Sequence, residues 1–396
     1  MKSLLGFALV VAACGSRAPV PAQPQPEPAA RPAPSVSQLE DVVLGPSGSC
    51  GRLEGGKALC WGSWGGAMLK VSAPAAELAD VAELRMGHDL LEEPQQHYHD
   101  HLCALLADKT VTCWGNGHQH QLGGDAGETS ATPTPVNGLP PITQLALGAH
   151  HSCALSETGD VWCWGSNERG QIGVGRGLES IHRPAKVGGV EKVVQIIAAT
   201  FNTCALTAAH EVYCWGENLS GEAGAANVGH PIVWSPHRVE IASGSRRLSG
   251  GYSTLCAVKL EGKIACWGYL TDQLGLTFER STAGEVPDIT DATAIAVGLK
   301  HACMVRRDGS VWCWGNDEAA QLGDGGGQNS ARPVRVALPG RSITVVAGKR
   351  STCARLDDRR WYCWGENRNG QIGPRELASI PTPTLLDLSQ VDLAGQ

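Results

Sequence analysis

Cysteine is the residue type whose spacing in this sequence points most directly to chemistry. Fourteen of the 15 cysteines form seven pairs, each ten residues apart, and the pairs recur every 47 to 53 residues. A period of this length indicates seven copies of one structural unit, each with its own crosslink. Zinc is the alternative use of paired thiols, but zinc sites need clustered sets of four Cys or His ligands, which evenly dispersed pairs do not supply. We therefore expect seven structural disulfides: Cys50–Cys60, Cys103–Cys113, Cys153–Cys163, Cys204–Cys214, Cys256–Cys266, Cys303–Cys313 and Cys353–Cys363.

Histidines are concentrated in the second unit, which an insertion of eleven residues makes longer than the others. His97, His99 and His101 stand at alternate positions, so they share one face if this segment is extended. Imidazoles with nearby carboxylates suit zinc, copper or nickel, and they titrate near pH 6.5. The alternative is a solvated loop in which His101 is the residue usual in the repeat, like His151 and His301. The ligands of the candidate metal site are His97, His99, His101, His118 and His120.

No hydrolase or nucleotide-binding motif occurs in the sequence. Gly-x-Ser-x-Gly, His-Glu-x-x-His and the complete phosphate loop Gly-x-x-x-x-Gly-Lys-Ser/Thr are absent. We therefore assign no catalytic residue and predict a protein that is not an enzyme and needs no cofactor. Trp64 and Trp234 stand outside the regular positions of the repeat, in segments expected to be loops. Exposed aromatic residues often anchor protein partners, so both tryptophans are candidate partner contacts.

The fifteenth cysteine, Cys14, follows a short apolar segment at the N-terminus. Lys2, the apolar stretch from Leu4 to Val11 and the small residues after it are typical of a secretory signal. A cysteine directly after small residues resembles the lipobox of bacterial lipoproteins, although Val11 stands where leucine is usual. The resemblance implies a signal peptide over residues 1–13 and lipidation of Cys14, which becomes the mature N-terminus. The alternative is an ordinary signal peptide that contains a cysteine.

A proline-rich segment separates Cys14 from the repeats. Seven prolines lie between residues 19 and 34, a composition that favours an extended tether over a packed core. We predict a lipidated tether over residues 14–38 and a folded domain over residues 39–396. The formal charge of −7 argues against nucleic acid, and no other segment is long and apolar enough to span a membrane. The predicted location is the bacterial cell envelope, with the lipid in the outer membrane and the domain facing the periplasm or the surface.

The paired cysteines and the tryptophans beside them must lie on short β-strands, in which apolar and polar residues alternate. In the third unit, Cys-Ala-Leu is one strand and Val-Trp-Cys-Trp is the returning strand, with a turn at Thr158-Gly159 between them. This hairpin places Cys153 opposite Cys163. Because side chains alternate along a strand, Cys163 and Trp164 should face opposite sides of the sheet.

A longer sequence frame unites the seven units. Cys-Trp-Gly closes every unit, and His-Ser-Cys-Ala-Leu and Gly-x-Val-x-Cys-Trp-Gly-x-Asn stand in the clearest copies. Gln-Leu-Gly or Gln-Ile-Gly follows at Gln121, Gln171, Gln273, Gln321 and Gln371. The frame resembles the repeat of the regulator of chromosome condensation family over about residues 39–395. The resemblance implies an all-β, seven-bladed β-propeller with roughly 50 residues and one Cys–Cys hairpin per blade. Residues 391–395 echo the strand that opens each unit, so we expect them near the closure between the first and last blades.

The family resemblance also implies a scaffold that presents loops to protein partners. We predict a monomeric, non-enzymatic propeller that recognises or inhibits an unidentified protein at the envelope. Metal binding, or metal or pH sensing, by the histidine loop is the alternative, and an envelope hydrolase or polysaccharide-binding protein is the weakest one. Nucleotide exchange on a small GTPase, the family's best-known eukaryotic activity, is not carried over, because no exchange motif is evident and an exported domain meets no cytosolic GTPase.

Overall fold

Each of the seven sequence units forms one antiparallel sheet. The computed structural model describes residues 39–62, 78–87, 100–124, 129–224, 231–269, 283–374 and 376–390. Within them, six sheets have four strands that are consecutive in the chain, and the first sheet has three. The predicted all-β, seven-bladed propeller is therefore confirmed. The predicted signal peptide and tether lie outside the described residues.

The strands of the first four blades have the following bounds. Blade one contains β1 Leu39–Leu44, β2 Gly48–Leu53 and β3 Ala58–Gly62. Blade two contains β4 Val81–Gly87, β5 His101–Leu106, β6 Val111–Gly115 and β7 Ser130–Pro135. Blade three contains β8 Ile142–Leu147, β9 His151–Ser156, β10 Val161–Ser166 and β11 Ser180–Lys186. Blade four contains β12 Val193–Ala198, β13 Asn202–Thr207, β14 Val212–Glu217 and β15 Ile232–Arg238.

The remaining blades repeat this order. Blade five contains β16 Ser245–Gly250, β17 Thr254–Lys259, β18 Ile264–Gly268 and β19 Gly284–Glu285. Blade six contains β20 Ala292–Val297, β21 His301–Arg306, β22 Val311–Gly315 and β23 Ser330–Arg335. Blade seven contains β24 Ser342–Ala347, β25 Ser351–Leu356, β26 Trp361–Glu366 and β27 Ser379–Leu385. Two short 3₁₀ helices, Glu240–Ala242 and Leu388–Gln390, complete the described elements.

A disulfide joins the second and third strands of every blade. The two cysteines lie directly opposite each other in the register, as Cys153 and Cys163 do. Their Cα atoms are 4.0 to 4.1 Å apart in all seven pairs. This distance matches the narrow, non-hydrogen-bonded type of antiparallel pair. The predicted pairing and the predicted hairpin register are both confirmed.

The seams between blades combine a disulfide with a tryptophan. The disulfide Cys153–Cys163 packs in one cluster with Trp215 of the next blade, and Trp164 packs against the disulfide of the blade before it. Cys163 and Trp164 therefore face opposite sides of the sheet, as predicted. The tryptophan of the Cys-Trp-Gly motif is fully buried in all seven blades: Trp61, Trp114, Trp164, Trp215, Trp267, Trp314 and Trp364.

The same seams carry a repeated hydrogen bond. In five seams whose residues the structure describes, the indole Nε1 donates to the main-chain carbonyl of a Gln or Glu in the preceding blade. The bonds are 2.9 to 3.0 Å long and join Trp61 to Gln371, Trp164 to Gln121, Trp215 to Gln171, Trp267 to Glu222 and Trp364 to Gln321. The bond from Trp61 to Gln371 links blade one to blade seven and so closes the ring. Residues 391–395, which we expected at this closure, lie outside the described residues.

Proline interrupts the outermost strand of most blades. An outer strand has one edge without a neighbour, and such an edge can pair with a strand of another molecule. Proline cannot donate the ladder hydrogen bond, so it prevents that pairing. The prolines are Pro133 and Pro135 in β7, Pro184 in β11, Pro236 in β15, Pro333 in β23, and Pro381 and Pro383 in β27. In blade five the outer strand β19 has only two residues, so its edge is too short to pair with a strand of another molecule.

Candidate partner-binding face

The strand order gives the propeller two different ends. Connections between strands two and three lie at one end, the hairpin face, and all seven are four-residue turns: 54–57, 107–110, 157–160, 208–211, 260–263, 307–310 and 357–360. The described connections from one blade to the next lie at the same end and have six residues each: 136–141, 187–192, 239–244, 286–291 and 336–341. Connections between strands one and two and between strands three and four form the opposite end, the loop face. The connections from strand three to strand four span residues 116–129, 167–179, 218–231, 269–283, 316–329 and 367–378. Long connections that vary in sequence therefore belong to the loop face.

The repeated glutamine holds the long connection in place in the copies that the structure describes. Gln121 accepts a bond from the amide of Gln119 through Oε1, at 2.8 Å, and donates through Nε2 to Asn116 Oδ1, at 3.1 Å. Gln321 makes the same two bonds, at 2.8 and 2.7 Å. Because the main-chain carbonyl of this residue also accepts the indole bond, one residue type fixes both the loop and the seam. This geometry explains the Gln-Leu-Gly part of the repeat.

Three of the repeat histidines are buried in the seams. His151 Nε2 lies 2.9 Å from Thr203 Oγ1, and that hydroxyl donates to the carbonyl of Gln171 at 2.9 Å. His101 and His301 have equivalent partners in the next blade, at 2.9 and 2.8 Å. All three rings are fully buried. His101 thus occupies the same environment as the other repeat histidines.

The other candidate metal ligands are dispersed or lie outside the described residues. His118 is exposed, and the ring of His120 stacks on that of His182 with centroids 3.6 Å apart. His97 and His99 fall in a segment that the structure does not describe. In the described part of the chain, no three His, Cys, Asp or Glu residues are grouped as metal ligands. Metal binding by the histidine loop stays a prediction.

Blade four replaces the repeated glutamine with Glu222, which is only 2 % exposed. One carboxyl oxygen accepts a bond from the amide of Ser220 at 2.7 Å, as the glutamine Oε1 does in other blades. Burial, with a smaller contribution from the nearby carboxyl of Glu217, raises the pKa of Glu222 to about 7. A protonated carboxyl can donate as a glutamine amide does, whereas the ionised form cannot. The protonated acid is therefore the form that this position favours.

We expect Glu222→Gln to raise the free energy of unfolding by about 3 kcal/mol at pH 8 and by much less at pH 4.5. The folded pKa of about 7 lies above the ordinary value of 4.5, so the folded protein holds a proton that the unfolded chain has lost. Stability therefore falls as the pH rises from 4.5 to 7, and glutamine removes that loss. Urea unfolding followed by tryptophan fluorescence at both pH values measures the effect. Glu168→Gln, an exposed control with the same charge change, should alter neither value; an equal gain from Glu222→Gln at both pH values would contradict the assignment.

Aromatic, cationic and aliphatic side chains meet on the loop face of blades three and four. The guanidinium of Arg176 lies 5.6 Å from the ring centroid of Trp234, and that of Arg169 lies 5.3 Å from Phe201. Leu178 and Leu219 are 61 % and 60 % exposed. The main chain links the long connection of blade three to strand β15 of blade four, because the amide of Gly175 donates to the carbonyl of Trp234 at 2.9 Å. We call this set the blade-three/four patch: Arg169, Arg176, Leu178, Phe201, Leu219 and Trp234.

The structure describes only one of the two tryptophans predicted to contact a partner. Trp64 lies outside the described residues. Trp234 lies in strand β15 and not in a loop, and its side chain is half-buried beneath Arg176. Sequence reasoning missed the other members of the patch, because an isolated arginine or leucine in a loop carries no signal of its own.

Among the described residues, the structure contains no helix with the length and apolarity needed to cross a bilayer.

Comparisons with known proteins agree with this architecture. The model of the RCC1-like domain matches residues 95–346, and the model of the Regulator of chromosome condensation (RCC1) repeat matches residues 343–371. The Ultraviolet-B receptor UVR8 of Arabidopsis thaliana is 28% identical over 292 residues, which are 69% of this chain and 64% of that protein. The E3 ubiquitin-protein ligase HERC2 of Homo sapiens is 27% identical over 340 residues, which are 81% of this chain and 7% of that protein. The chain thus spans less than two thirds of the length of either relative.

Solved structures show the same fold. Yeast RCC1 (Prp20), in its crystal structure bound to Kap60, superposes with a TM-score of 0.68 at 18% identity and covers 94% of this chain and 91% of its own. Human WBSCR16 superposes with a TM-score of 0.63 at 23% identity and covers 72% of this chain and 79% of its own. Because the RCC1-like model matches more than half of the sequence, and the seven blades carry its repeat, this chain belongs to the RCC1-repeat family.

Proposed function

We propose that this protein is a non-enzymatic, lipid-anchored propeller that holds a protein partner on its loop face at the cell envelope. The observation that carries the proposal is the difference between its surfaces. The hairpin face consists of four-residue turns and, where the structure describes them, six-residue connections between blades, and proline interrupts most outer strands. The loop face alone combines long, dissimilar connections with the blade-three/four patch.

The composition of the patch supports protein binding. Arginine and tryptophan are enriched among the residues that dominate binding energy at protein interfaces. Arg176 is held over the Trp234 ring, so it loses little side-chain freedom when a partner binds. Leu178 and Leu219 offer apolar area that no other described residue covers. These features suit a partner that buries an apolar side chain at the centre of the contact.

The predicted anchor and the disulfides support an exported location. Disulfides persist outside the reducing cytosol, and this chain has one in each of seven blades. Cys14 and the proline-rich segment after it would tether such a domain to a membrane through several acyl chains. RCC1-repeat relatives include a receptor, UVR8, and a protein crystallised with a partner, Prp20 with Kap60. We carry over the general role of a binding scaffold and none of those partners.

Crosslinking capture from envelope extract tests the proposal. The bait is the full chain, purified in detergent with its cysteines oxidised, and capture is repeated with a chelator. We expect one saturable protein partner that survives the chelator. The double variant Arg176→Ala/Leu178→Ser should reduce capture at least about tenfold, because loss of central interface residues typically weakens binding by 2 kcal/mol or more.

Matched variants separate the patch from a general effect of surface change. Arg307→Ala/Leu260→Ser makes the same two substitutions at exposed positions of the hairpin face. Leu377→Ser removes an exposed leucine from the loop face itself, in blade seven and outside the blade-three/four patch. Neither variant should alter capture. No saturable partner in either condition would contradict the proposed function, and capture abolished by the chelator would favour the histidine-loop alternative.

A further inference from the structure

The connection from blade two to blade three contains an asparagine followed by a glycine, Asn137-Gly138. In such a pair the main-chain nitrogen of the glycine can attack the side-chain carbonyl carbon of the asparagine. Glycine hinders this attack least, because it has no Cβ atom and the widest choice of backbone conformations. The sequence contains two other Asn-Gly pairs, Asn116-Gly117 and Asn369-Gly370. The reactivity of each pair depends on whether the fold leaves the nitrogen and the side chain free to meet.

The pair between blades two and three is free in this respect. Asn137 and Gly138 are both exposed. In the described part of the chain, neither the side chain of Asn137 nor the main-chain nitrogen of Gly138 makes a hydrogen bond. A Cβ atom on Gly138 would meet no other atom within 4 Å, so the space around this turn is open. The two residues can therefore rotate into contact without breaking an interaction.

The other two pairs are held by hydrogen bonds on the loop face. Asn116 is only 3 % exposed, and its Oδ1 accepts bonds from the amide of His118 at 3.0 Å and from Gln121 Nε2 at 3.1 Å. In the pair of blade seven, the amide of Gly370 donates to the carbonyl of Asn367 at 2.9 Å, so the attacking nitrogen is occupied. Both pairs must open locally before they can react.

We propose that Asn137 is a site of spontaneous deamidation. The nitrogen of Gly138 forms a bond to Cγ of Asn137, the Cγ–Nδ2 bond breaks, and ammonia leaves with the proton that the nitrogen of Gly138 carried. Water then opens the resulting succinimide ring. Attack of water at Cγ gives aspartate, and attack at the main-chain carbonyl carbon of residue 137 gives isoaspartate. Water is the only other reactant, so the reaction needs neither an enzyme nor a cofactor.

The two products differ in their effect on the seam between blades two and three. The connection that contains Asn137 is anchored at both ends by Val136 and Ile142, which are buried in one cluster with Trp164. The main-chain amides of these two anchors donate to carbonyls of blade two at 2.9 and 3.0 Å. Isoaspartate routes the main chain through its side chain and so adds one carbon atom between the anchors, whereas aspartate leaves the main chain unchanged. We therefore expect isoaspartate to loosen this seam and aspartate to leave it intact.

Peptide mapping of the aged protein by mass spectrometry tests this inference. The full chain, oxidised and in detergent, is held at 37 °C and pH 8.5, then reduced and digested, and the conversion of each asparagine is followed with time. We expect Asn137 to convert about tenfold or more faster than Asn116 and Asn369, because a hydrogen bond that must first open lowers the reactive population by about that factor. The matched variant is Asn137→Gly, which copies Gly188 at the same position in the connection after blade three. It should fold normally and lose the modification.

The rates and the stability of the aged protein decide the outcome. Equal rates at the three asparagines, or earlier conversion of Asn116 or Asn369, would overturn the site. Resistance of Asn137 in the folded protein, with conversion in the urea-unfolded chain, would show that the turn protects it and would also overturn the site.

The effect on the seam is measured by urea unfolding, with the isoaspartate content determined by an isoaspartyl methyltransferase assay. The midpoint should fall as the isoaspartate content rises, while unaged Asn137→Asp and aged Asn137→Gly should keep the original midpoint. An unchanged midpoint in isoaspartate-rich protein would contradict the predicted loosening.

Discussion

Reduction of the seven disulfides is expected to unfold the propeller at 25 °C. Each bridge closes a loop between residues ten apart, which in the chain-entropy model stabilises the fold by about 2–3 kcal/mol. Even half of the nominal sum over seven bridges reaches the range of about 5–15 kcal/mol that is typical of whole domains. The sulfur atoms also pack against the tryptophan of the next blade, so reduction loosens the seams directly. Far-ultraviolet circular dichroism and tryptophan fluorescence, with and without dithiothreitol, measure the loss.

A variant that lacks one disulfide is the control for this experiment. Cys303→Ala/Cys313→Ala should lower the free energy of unfolding by about 2–3 kcal/mol and leave the protein folded. Cys14→Ser, which lies outside the propeller, should leave the unfolding curve unchanged. A reduced protein with the same urea midpoint as the oxidised one would show that the seams alone hold the ring together.

Acidification from pH 7 to pH 5 is expected to lower the free energy of unfolding by about 4 kcal/mol through two histidines. Burial, aided by the neighbouring His150, lowers the pKa of His151 to about 3, and burial lowers that of His301 to about 4. Both values lie below the ordinary value of 6.5, so the unfolded chain takes up protons that the folded protein excludes. The stability is therefore fully present above pH 6.5 and is lost as the pH falls below it, at about 2 kcal/mol for each histidine by pH 5.

The repeat itself provides the variant that isolates this effect. Asn202 stands at the first position of β13, where His151 stands in β9 and His301 in β21. His151→Asn/His301→Asn should therefore fold and should remove most of the loss between pH 7 and pH 5. Glu222→Gln is the appropriate background, because Glu222 contributes the opposite slope between pH 4.5 and 7. An exposed control, His118→Asn, should not change the slope. Equal acid sensitivity with and without the two histidines would contradict the assignment.

Much of the fold could be predicted from the sequence because every blade repeats the same local chemistry. The ten-residue spacing of the cysteines determined the hairpin register, and the alternation around Cys163 and Trp164 determined which side chains face each seam. The outermost strand of each blade was not predicted. Its residues are mostly exposed, as in the pattern of Ser180–Lys186, so no apolar alternation marks it, and proline in the middle is atypical of a strand.

The candidate sites were harder to predict because they combine residues from separate repeats. Arg169 and Phe201 come from different blades, and only the folded propeller brings the guanidinium of one to 5.3 Å from the aromatic ring centroid of the other. Glu222 was visible as a departure from the repeated glutamine, but its buried environment was not. His101 stood out in sequence as one of several histidines near a loop. Its position in the seam depends on Ser152 of the following blade, a contact that links residues 51 apart in the chain.

The prolines of the outer strands acquire a particular importance if the protein is tethered by Cys14. Molecules anchored in one leaflet diffuse in two dimensions, so they meet side by side far more often than free molecules at the same total amount. Where the outer strands of two molecules meet, an unbroken edge in each would allow the strands to pair in a hydrogen-bonded ladder. Residues such as Pro184 and Pro333 prevent that ladder from forming. If the protein is so tethered, its molecules can therefore stay separate even when they are crowded in one leaflet, and each keeps its own loops available to a partner.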